Sequence, residues 1–327
     1  MEIAGAGAKL FFELKPKLLP GSLKLNSTNN SLWTNLKRLV ARYVRPTKIA
    51  DKPLQDVQSL AKKGFLFPLN LPALSIDSVA TNEQLALCAT KIKSAWEHLG
   101  AATPHFSVLT GEQFLPENLD GAIDDFWASG QAEAEIFQQT LSRHGVDDLS
   151  SRICVEYGCG VGRVTMGFAK KFAKVHAYDI SSNHLKIARE RAEETSTGNA
   201  VFHECAEHFL DAIELCDFFY SVIVLQHNPP PIIAVLIRKA LTALRPGGVA
   251  IFQVPTYIVG YRFCLEEWLN TDHVPDMQMH CLPQDRIFGV ISKERCKLLE
   301  VREDNWTGAP EMYISNTFVV QKYLAGG

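Results

Sequence analysis

The sequence predicts an α/β fold in which helices cover both faces of a mostly parallel sheet. From about Ser151 onward, short apolar runs alternate with longer segments of helical periodicity. This alternation is typical of parallel strands joined by right-handed helical crossovers. A glycine-rich turn at 158–162 separates the first apolar run from the first helical segment, which is a place where such folds bind ligands.

The predicted strands are short apolar runs, and the predicted helices are the segments between them. The runs predicted to form buried strands are 152–157, 175–178, 200–204, 218–225 and 248–254. The segments predicted to form helices are 161–172, 181–194 and 230–244. An insertion at 255–296 is predicted to be irregular, and two further strands are predicted after it, at 297–303 and 312–321.

Two helices are predicted ahead of the sheet and are expected to form a cap. In the first, apolar residues recur at helical spacing between Asn82, a candidate N-cap, and Gly100, a candidate stop. The second is predicted from near Gly130 to His144. The predicted organisation is therefore a basic, largely irregular region 1–80, a helical cap 81–150, and a sheet domain 151–327 that contains the insertion 255–296.

The N-terminal region differs in charge from the rest of the chain. Residues 1–63 contain 12 Lys and Arg against 4 Asp and Glu, although the whole chain has a formal net charge of −3. A basic arm on an acidic body is typical of proteins that meet an anionic partner, such as a membrane surface or nucleic acid. Segment 32–43 has the spacing of a basic amphipathic helix suited to peripheral membrane contact. The alternatives are a solvated arm and packing against the main domain.

Composition and patterning exclude several classes of protein. No apolar run approaches the ~18 residues of a membrane-spanning helix. Charged residues interrupt the N-terminus where a signal peptide would need an apolar core. The 8 cysteines form no C-x-x-C pair and do not cluster with histidines, so no metal site is predicted. Cysteines scattered through apolar runs suit a reducing compartment, and a cytoplasmic location is predicted.

The turn after the first strand is the clearest ligand-binding signal. Glycine stands at 158, 160 and 162. Glycine is needed where the backbone adopts conformations closed to other residues, or where a ligand lies directly against the main chain. A dinucleotide-binding turn has the spacing G-x-G-x-x-G. Arg163 stands at the final position of that pattern, which disfavours a pyrophosphate ligand and a nicotinamide-dependent oxidoreductase.

A single acidic residue follows the second predicted strand. Asp179 lies at the carboxyl end of the predicted sheet, where a carboxylate can accept hydrogen bonds from both hydroxyls of a ribose. The alternative role is capping of the helix predicted from 181. The two roles are compatible.

Together these features resemble the class I S-adenosylmethionine-dependent methyltransferases. The resemblance rests on 156–163, Asp179, 217–227 and the turn 244–248, and it covers about 151–327. It implies a Rossmann-like sheet of seven strands in the order 3-2-1-4-5-7-6, with strand 7 antiparallel. It also implies that S-adenosylmethionine is the methyl donor.

The resemblance assigns residues to each part of the donor. Glu156, Gly158, Gly160 and Gly162 would surround the methionine part. Gln226, after strand four, would lie near the methionine part or the transferred methyl group.

On the adenosine side, Asp179 would bind the ribose and Ile180 would contact the adenine. Ala206 and Glu207, which follow the third strand, would lie beside the adenine ring. Cys205 stands where the family frequently has an acidic residue, so Glu207 is the candidate substitute for binding the adenine amino group.

Two histidines are candidate general bases. His227 follows strand four where the crevice should open, and the ordinary pKa of histidine suits proton transfer near neutrality. The alternative is that His227 packs against the donor or caps a turn. His280 lies in the insertion, which is expected to cover the acceptor pocket, and the alternative is an exposed loop residue.

Two further features are candidates for the donor site. Arg163 is a candidate to neutralise the donor carboxylate, with a surface salt bridge as the alternative. The aromatic segment 126–130 is a candidate to close the site from the cap side.

The expected activity is O-methylation of a small-molecule or glycan hydroxyl. The stretches 220–231, 252–257 and 314–318 look like a bacterial subgroup found among polysaccharide-biosynthesis enzymes. One alternative is an RNA methyltransferase that uses the basic N-terminal region as an electrostatic clamp. Another is a methyltransferase-like subunit without catalysis. Nucleic acid is the less favoured partner, because the sequence contains no aromatic-rich RNA-binding module.

Overall fold

The computed structural model describes residues 71–205 and 213–324. Its centre is a seven-stranded sheet made of β1 Ile153–Tyr157, β2 Lys174–Asp179, β3 Ala200–Glu204, β4 Cys216–Ser221, β5 Leu244–Ile258, β6 Cys296–Asp304 and β7 Tyr313–Lys322. The strand order is β3-β2-β1-β4-β5-β7-β6. Strand β7 is antiparallel to both neighbours, and the other pairs are parallel. The predicted α/β class, strand order and antiparallel seventh strand are confirmed.

Helices pack on both faces of this sheet. The α-helices are α1 Asn82–Ala102, α2 Pro104–Val108, α3 Ile123–Arg143, α4 Thr165–Ala169, α5 Ser182–Glu194, α6 Pro230–Ala243, α7 Leu265–Leu269 and α8 Gln284–Lys293. Side chains alternate between the faces along β1. Val155 and Tyr157 belong to a core with α1, α6 and α8, whereas Cys154 belongs to a core with α3 and α4. Glu156 therefore lies on the α3 face.

The helix predicted at 161–172 is shorter in the structure, because α4 spans only Thr165–Ala169. Gly160 and Gly162 have φ values of +53° and +82°. A right-handed helix requires negative φ, so it cannot start until the glycine turn is complete.

The first cap helix has different ends from those predicted. Thr81, not Asn82, is the N-cap: its side chain accepts the Gln84 N–H at 3.3 Å, and the Gln84 side chain accepts the Thr81 N–H at 2.9 Å. This reciprocal capping box satisfies two backbone donors. Helix α1 also runs through Gly100 and ends shortly before Pro104, because proline disfavours the helical conformation in the residue before it.

The second cap helix begins at Ile123 rather than near Gly130. Gly130 lies inside α3, where an ideal Cβ would stand 2.0 Å from the carbonyl oxygen of Arg163. Glycine at this position lets α3 rest directly on the turn that follows β1. The residue marks a close approach of two backbones, not a helix boundary.

The insertion 255–296 is more ordered than predicted. Its first residues extend β5 to Ile258, and it contains α7 and α8. Its two-residue strand Arg262–Phe263 pairs in parallel with Ser75–Ile76, just ahead of the cap.

Several predictions lie outside the described residues. These are the helix at 32–43, the membrane or nucleic-acid contact of the basic region, and the adenine contacts of Ala206 and Glu207. Within 71–205 and 213–324, no helix combines the length and the apolar character needed to cross a bilayer.

Candidate active site

The main chain of the glycine turn is held against the end of β2. The N–H groups of Gly158 and Cys159 both donate to the carbonyl oxygen of Tyr178, at 2.8 and 2.9 Å. Gly158 has a φ of +81°, and an ideal Cβ there would lie 2.2 Å from the Val224 side chain. Both the conformation and the lack of space require glycine at this position.

Asp179 ends β2, and its carboxylate is oriented by the glycine turn. Oδ2 accepts the Gly160 N–H at 2.7 Å, and Oδ1 accepts the Ser181 N–H at 2.9 Å. The N-cap of α5 is Ser181, whose hydroxyl accepts the His184 N–H at 3.3 Å. Each oxygen of Asp179 therefore retains acceptor capacity for a further hydrogen bond.

A cavity opens at the carboxyl ends of β1, β2 and β4, where a parallel sheet is expected to bind a ligand. The empty space measures about 840 Å³, including the part open to solvent. Small-molecule sites commonly measure ~300–1,000 Å³. The residues predicted to bind the donor that line this cavity are Glu156, Gly158, Gly160, Arg163, Asp179 and Ile180.

Gly162 and Gln226 are not among the residues that line the cavity. An ideal Cβ on Gly162 would lie 3.2 Å from Ala188, so this glycine allows α5 to pack on the turn. Gln226 is buried, with Nε2 lying 3.2 Å from Nε2 of His227 and Oε1 accepting from Nε2 of Gln253 at 3.0 Å. The donor contacts of Gly162 and Gln226 stay predictions.

Arg163 belongs to a buried network rather than to a surface salt bridge. Its Nη2 donates to Oε2 of Glu133 at 2.6 Å, and Nη1 donates to the Ser129 hydroxyl at 3.2 Å. Glu133 also accepts the hydroxyl hydrogen of Tyr220. Arg163 and Glu133 are only 5% and 6% exposed. Removal of either partner would leave a buried charge without compensation.

Glu156 supplies a second buried carboxyl group in the same cavity. It accepts a hydrogen bond from the Thr165 hydroxyl at 2.5 Å. Burial raises the pKa of Glu156 to about 8, against the opposing effect of the Thr165 hydrogen bond and with reinforcement from the negative charge of Glu133. At pH 7 the ligand-free protein therefore holds Glu156 largely in its protonated form.

The cap completes the wall of the cavity. Ile92 and Trp96 of α1, and Ser107 and Val108 of α2, line the space. An ideal Cβ on Gly160 would lie 2.5 Å from the Val108 side chain, so α2 lies directly over the glycine turn.

The aromatic segment 126–130 has a different place from the predicted one. Phe126 is fully buried against Phe114 and Val161 and does not line the cavity. The contribution of this segment is polar, through the contact between Ser129 and Arg163. The aromatic residue that the cap contributes to the cavity lining is Trp96 instead.

Polar contacts also join the cap to the loop that follows Asp179. The carboxylate of Glu97 accepts the Ser182 N–H at 2.9 Å and the Ser182 hydroxyl at 3.1 Å, at the start of α5. A negative charge at a helix N-terminus is favourable. In the same turn, Nε2 of His184 lies 2.8 Å from the Ser107 hydroxyl. The cap and the loop after Asp179 are thus fixed together.

Neither candidate base lines the cavity: His227 is half-buried and His280 is buried. Nδ1 of His227 lies 3.2 Å from the Gln278 carbonyl oxygen. A carbonyl can only accept, so we infer that Nδ1 carries the proton and Nε2 the lone pair. Burial lowers the pKa of His227 to about 4. The ring contacts Trp96 edge-on, with 5.3 Å between centroids.

His280 is buried and does not lie in an exposed loop. Its Nδ1 lies 2.7 Å from the Tyr261 hydroxyl, and its ring packs against Phe263 and Trp268. Burial lowers the pKa of His280 to about 3. Both histidines are neutral at pH 7, and a catalytic role for either stays a prediction.

Sequence reasoning missed Glu133, Tyr220 and Trp96 as cavity residues. A glutamate on an amphipathic helix is usually exposed, and aromatic residues in apolar runs are usually core. One available signal was the strand register, since Tyr220 of β4 pairs directly with Glu156 of β1.

Known proteins resemble this chain over the segment that contains the glycine turn. Residues 154–248 match the protein family described as a methyltransferase domain. Among curated proteins, the ubiquinone biosynthesis O-methyltransferase of Vibrio vulnificus is 29% identical over 108 residues, which is 33% of this chain and 45% of that protein. The protein with the same name from Albidiferax ferrireducens is 30% identical over 101 residues, 30% of this chain and 39% of that protein. The chain thus spans less than half the length of these relatives.

Among solved structures, the magnesium protoporphyrin IX methyltransferase of Synechocystis PCC 6803 with bound SAH matches with a TM-score of 0.52. The match covers 72% of this chain and 99% of that chain at 14% sequence identity, and it therefore concerns the fold. One fold accounts for the strand order, the glycine turn and the family match over 154–248. Residues 154–248 match a methyltransferase domain, and the described sheet has the class I methyltransferase fold.

Proposed function

We propose that this chain is an S-adenosylmethionine-dependent methyltransferase that methylates a hydroxyl group of a small molecule or glycan. One observation carries the proposal: a single cavity joins the glycine turn, the Asp179 carboxylate and the buried side chains of Glu156 and Arg163. A nucleoside that ends in an amino acid carries groups that match this cavity in the same order. It has ribose hydroxyls at one end and a zwitterionic amino acid at the other.

The residues present fit such a ligand. The carboxylate of Asp179 is held by two backbone N–H groups and retains acceptor capacity toward the cavity. At the other end, Nε of Arg163 is a buried donor with no hydrogen-bond partner among the described residues. Ile180 and Trp96 contribute apolar wall to the same cavity. When bound, S-adenosylmethionine would supply an activated methyl group.

The protein would then accelerate transfer mainly by alignment. Holding donor and acceptor in a reactive geometry is worth up to ~7–11 kcal/mol in favourable cases. Removal of the acceptor proton by a base adds typically ~10²–10⁴-fold. We propose His227 for that role, since its Nε2 carries the lone pair and the ring is neutral at pH 7. In that role Nε2 would exchange its contact with Gln226 for the acceptor hydroxyl.

The choice of acceptor rests on the comparisons and on motif similarity. The curated relatives are named for O-methylation in ubiquinone biosynthesis, which favours a hydroxyl acceptor on a small molecule. The likeness of 220–231 and 252–257 to polysaccharide-associated enzymes favours a glycan. A cytoplasmic location, and contact of the basic region with a membrane or nucleic acid, stay predictions.

The decisive experiment combines binding with product identification. Calorimetry should detect binding of S-adenosylhomocysteine and none of NAD. The protein is then incubated with S-adenosylmethionine carrying an isotopic label in its methyl group and with fractionated cell extract, and labelled products are identified by mass spectrometry. A labelled O-methyl product is expected. Binding of NAD in place of S-adenosylhomocysteine would reject the proposal. A labelled RNA product would show that the acceptor is RNA and not a small molecule or glycan.

A further inference from the structure

The cap helix α3 delivers a buried carboxylate to the amino-acid end of the cavity. Glu133 accepts from Arg163 through Oε2 and from the Tyr220 hydroxyl through Oε1. The three residues line the same cavity, and each is less than 7% exposed. These contacts hold the guanidinium of Arg163 in one orientation, because both of its acceptors belong to α3 and Glu133 is itself fixed by Tyr220 of the sheet.

The hydrogen bonding of Arg163 is incomplete. Nη2 donates to Glu133 and Nη1 donates to Ser129, but Nε is buried without an acceptor in the part of the chain that the structure describes. A buried donor without a partner carries a free-energy cost. A carboxylate bound in the cavity would remove that cost and form a charge-assisted hydrogen bond.

The charges around this donor are also complementary to an amino acid. The cation Arg163 interacts electrostatically with two carboxyl groups, Glu133 and Glu156, that line the same cavity. An α-carboxylate next to an α-ammonium group presents the opposite pattern.

We propose that Glu133 and Tyr220 are positioning residues, which hold Arg163 so that its Nε–H binds the α-carboxylate of the donor. The cluster thereby makes the site selective for nucleosides that carry an amino-acid end. This inference rests on the proposed function. It assigns the recognition of that end to the cap, because Glu133 belongs to α3, which precedes the family match at 154–248.

The test compares two ligands that differ only in the amino-acid end. S-adenosylhomocysteine has it, whereas 5′-methylthioadenosine keeps the adenosine and the thioether but lacks it. Dissociation constants for both are measured by calorimetry on the full chain and on the variants Glu133→Gln and Tyr220→Phe. Glu135→Gln is the matched control, because Glu135 lies on the same helix but is exposed and contacts Lys171.

The wild type and the control should bind S-adenosylhomocysteine much more tightly than 5′-methylthioadenosine. Each test variant should lose about 10- to 100-fold in affinity for S-adenosylhomocysteine, as expected for one charge-assisted hydrogen bond. Its affinity for 5′-methylthioadenosine should stay unchanged, which also shows that the adenosine half of the site is folded. If one variant fails to fold, the other provides the same comparison.

Two results would overturn the inference alone: equal losses for both ligands, or unchanged affinity for S-adenosylhomocysteine in both variants. Failure of the wild type to bind either ligand would instead overturn the proposed function and this inference with it.

Discussion

The buried carboxyl group of Glu156 makes the stability of the ligand-free protein depend on pH in a specific direction. The folded state has a pKa of about 8 for this group, against 4.5 for an ordinary glutamate. As pH rises above 4.5, the unfolded chain ionises while the folded chain stays protonated. The unfolded state then binds fewer protons, so the free energy of unfolding falls until the folded carboxyl also ionises near pH 8.

The perturbation that isolates this effect is Glu156→Gln, whose amide is neutral at every pH and similar in shape to the protonated acid. One pKa unit corresponds to ~1.4 kcal/mol. Between pH ~5.5 and ~7.5 the wild type should therefore lose about 3 kcal/mol of stability relative to the variant. The difference should level off above about pH 8.

The assay is urea unfolding of both proteins without ligand at several pH values, followed by tryptophan fluorescence. Glu135→Gln serves as the control, since this exposed carboxylate should give a profile parallel to the wild type over the same range. Parallel profiles for the wild type and Glu156→Gln would refute the reasoning. They would mean that Glu156 is ionised in the folded protein and is compensated by Arg163.

Three further changes test the site. Asp179→Ala should reduce affinity for S-adenosylhomocysteine by about tenfold or more with the fold retained, and unchanged affinity would remove the ribose assignment. His227→Ala should lower turnover by ~10²–10⁴-fold with donor affinity nearly preserved. Because the His227 pKa is about 4, the wild-type rate should show no inflection from this group between pH ~6 and ~8. Normal turnover of the His227→Ala variant would eliminate His227 as the base. Gly160→Ala should destabilise the fold by about 1–3 kcal/mol in thermal unfolding, since φ is +53° and Val108 obstructs the Cβ. Val108→Ala should restore part of that loss, and purely additive effects would contradict a direct clash.

The sheet could be predicted from sequence because its signals are local or shared by a family. Apolar runs mark the strands, and the glycine turn and Asp179 occur where the chain crosses the carboxyl edge. The helix bounds were less predictable. Gly100 and Gly130 were interpreted as helix ends or starts, yet both lie inside helices. Gly130 is required by a tertiary contact with Arg163, which no local pattern encodes.

The sequence predicts which residues line the cavity where the position of the backbone decides this. It predicts them less well where the direction of the side chain decides. Gly158, Gly160 and Asp179 line the cavity because the turn and the strand end place them there. His227 also follows a strand at the correct edge, but its ring turns into the protein toward Gln278. Glu133 could not be predicted, because its partners Arg163 and Tyr220 are distant in sequence.

The contact of Val108 with the glycine turn has a practical consequence for dissecting this protein. The recognisable family segment starts at 154, so a fragment excised at Ser151 would look like a self-sufficient module. Such a fragment would retain every strand of the sheet but lose Trp96, Val108 and Glu133, and with them one side of the binding pocket. Grafts and minimal expression fragments should therefore begin ahead of Thr81, where the capping box starts the first helix.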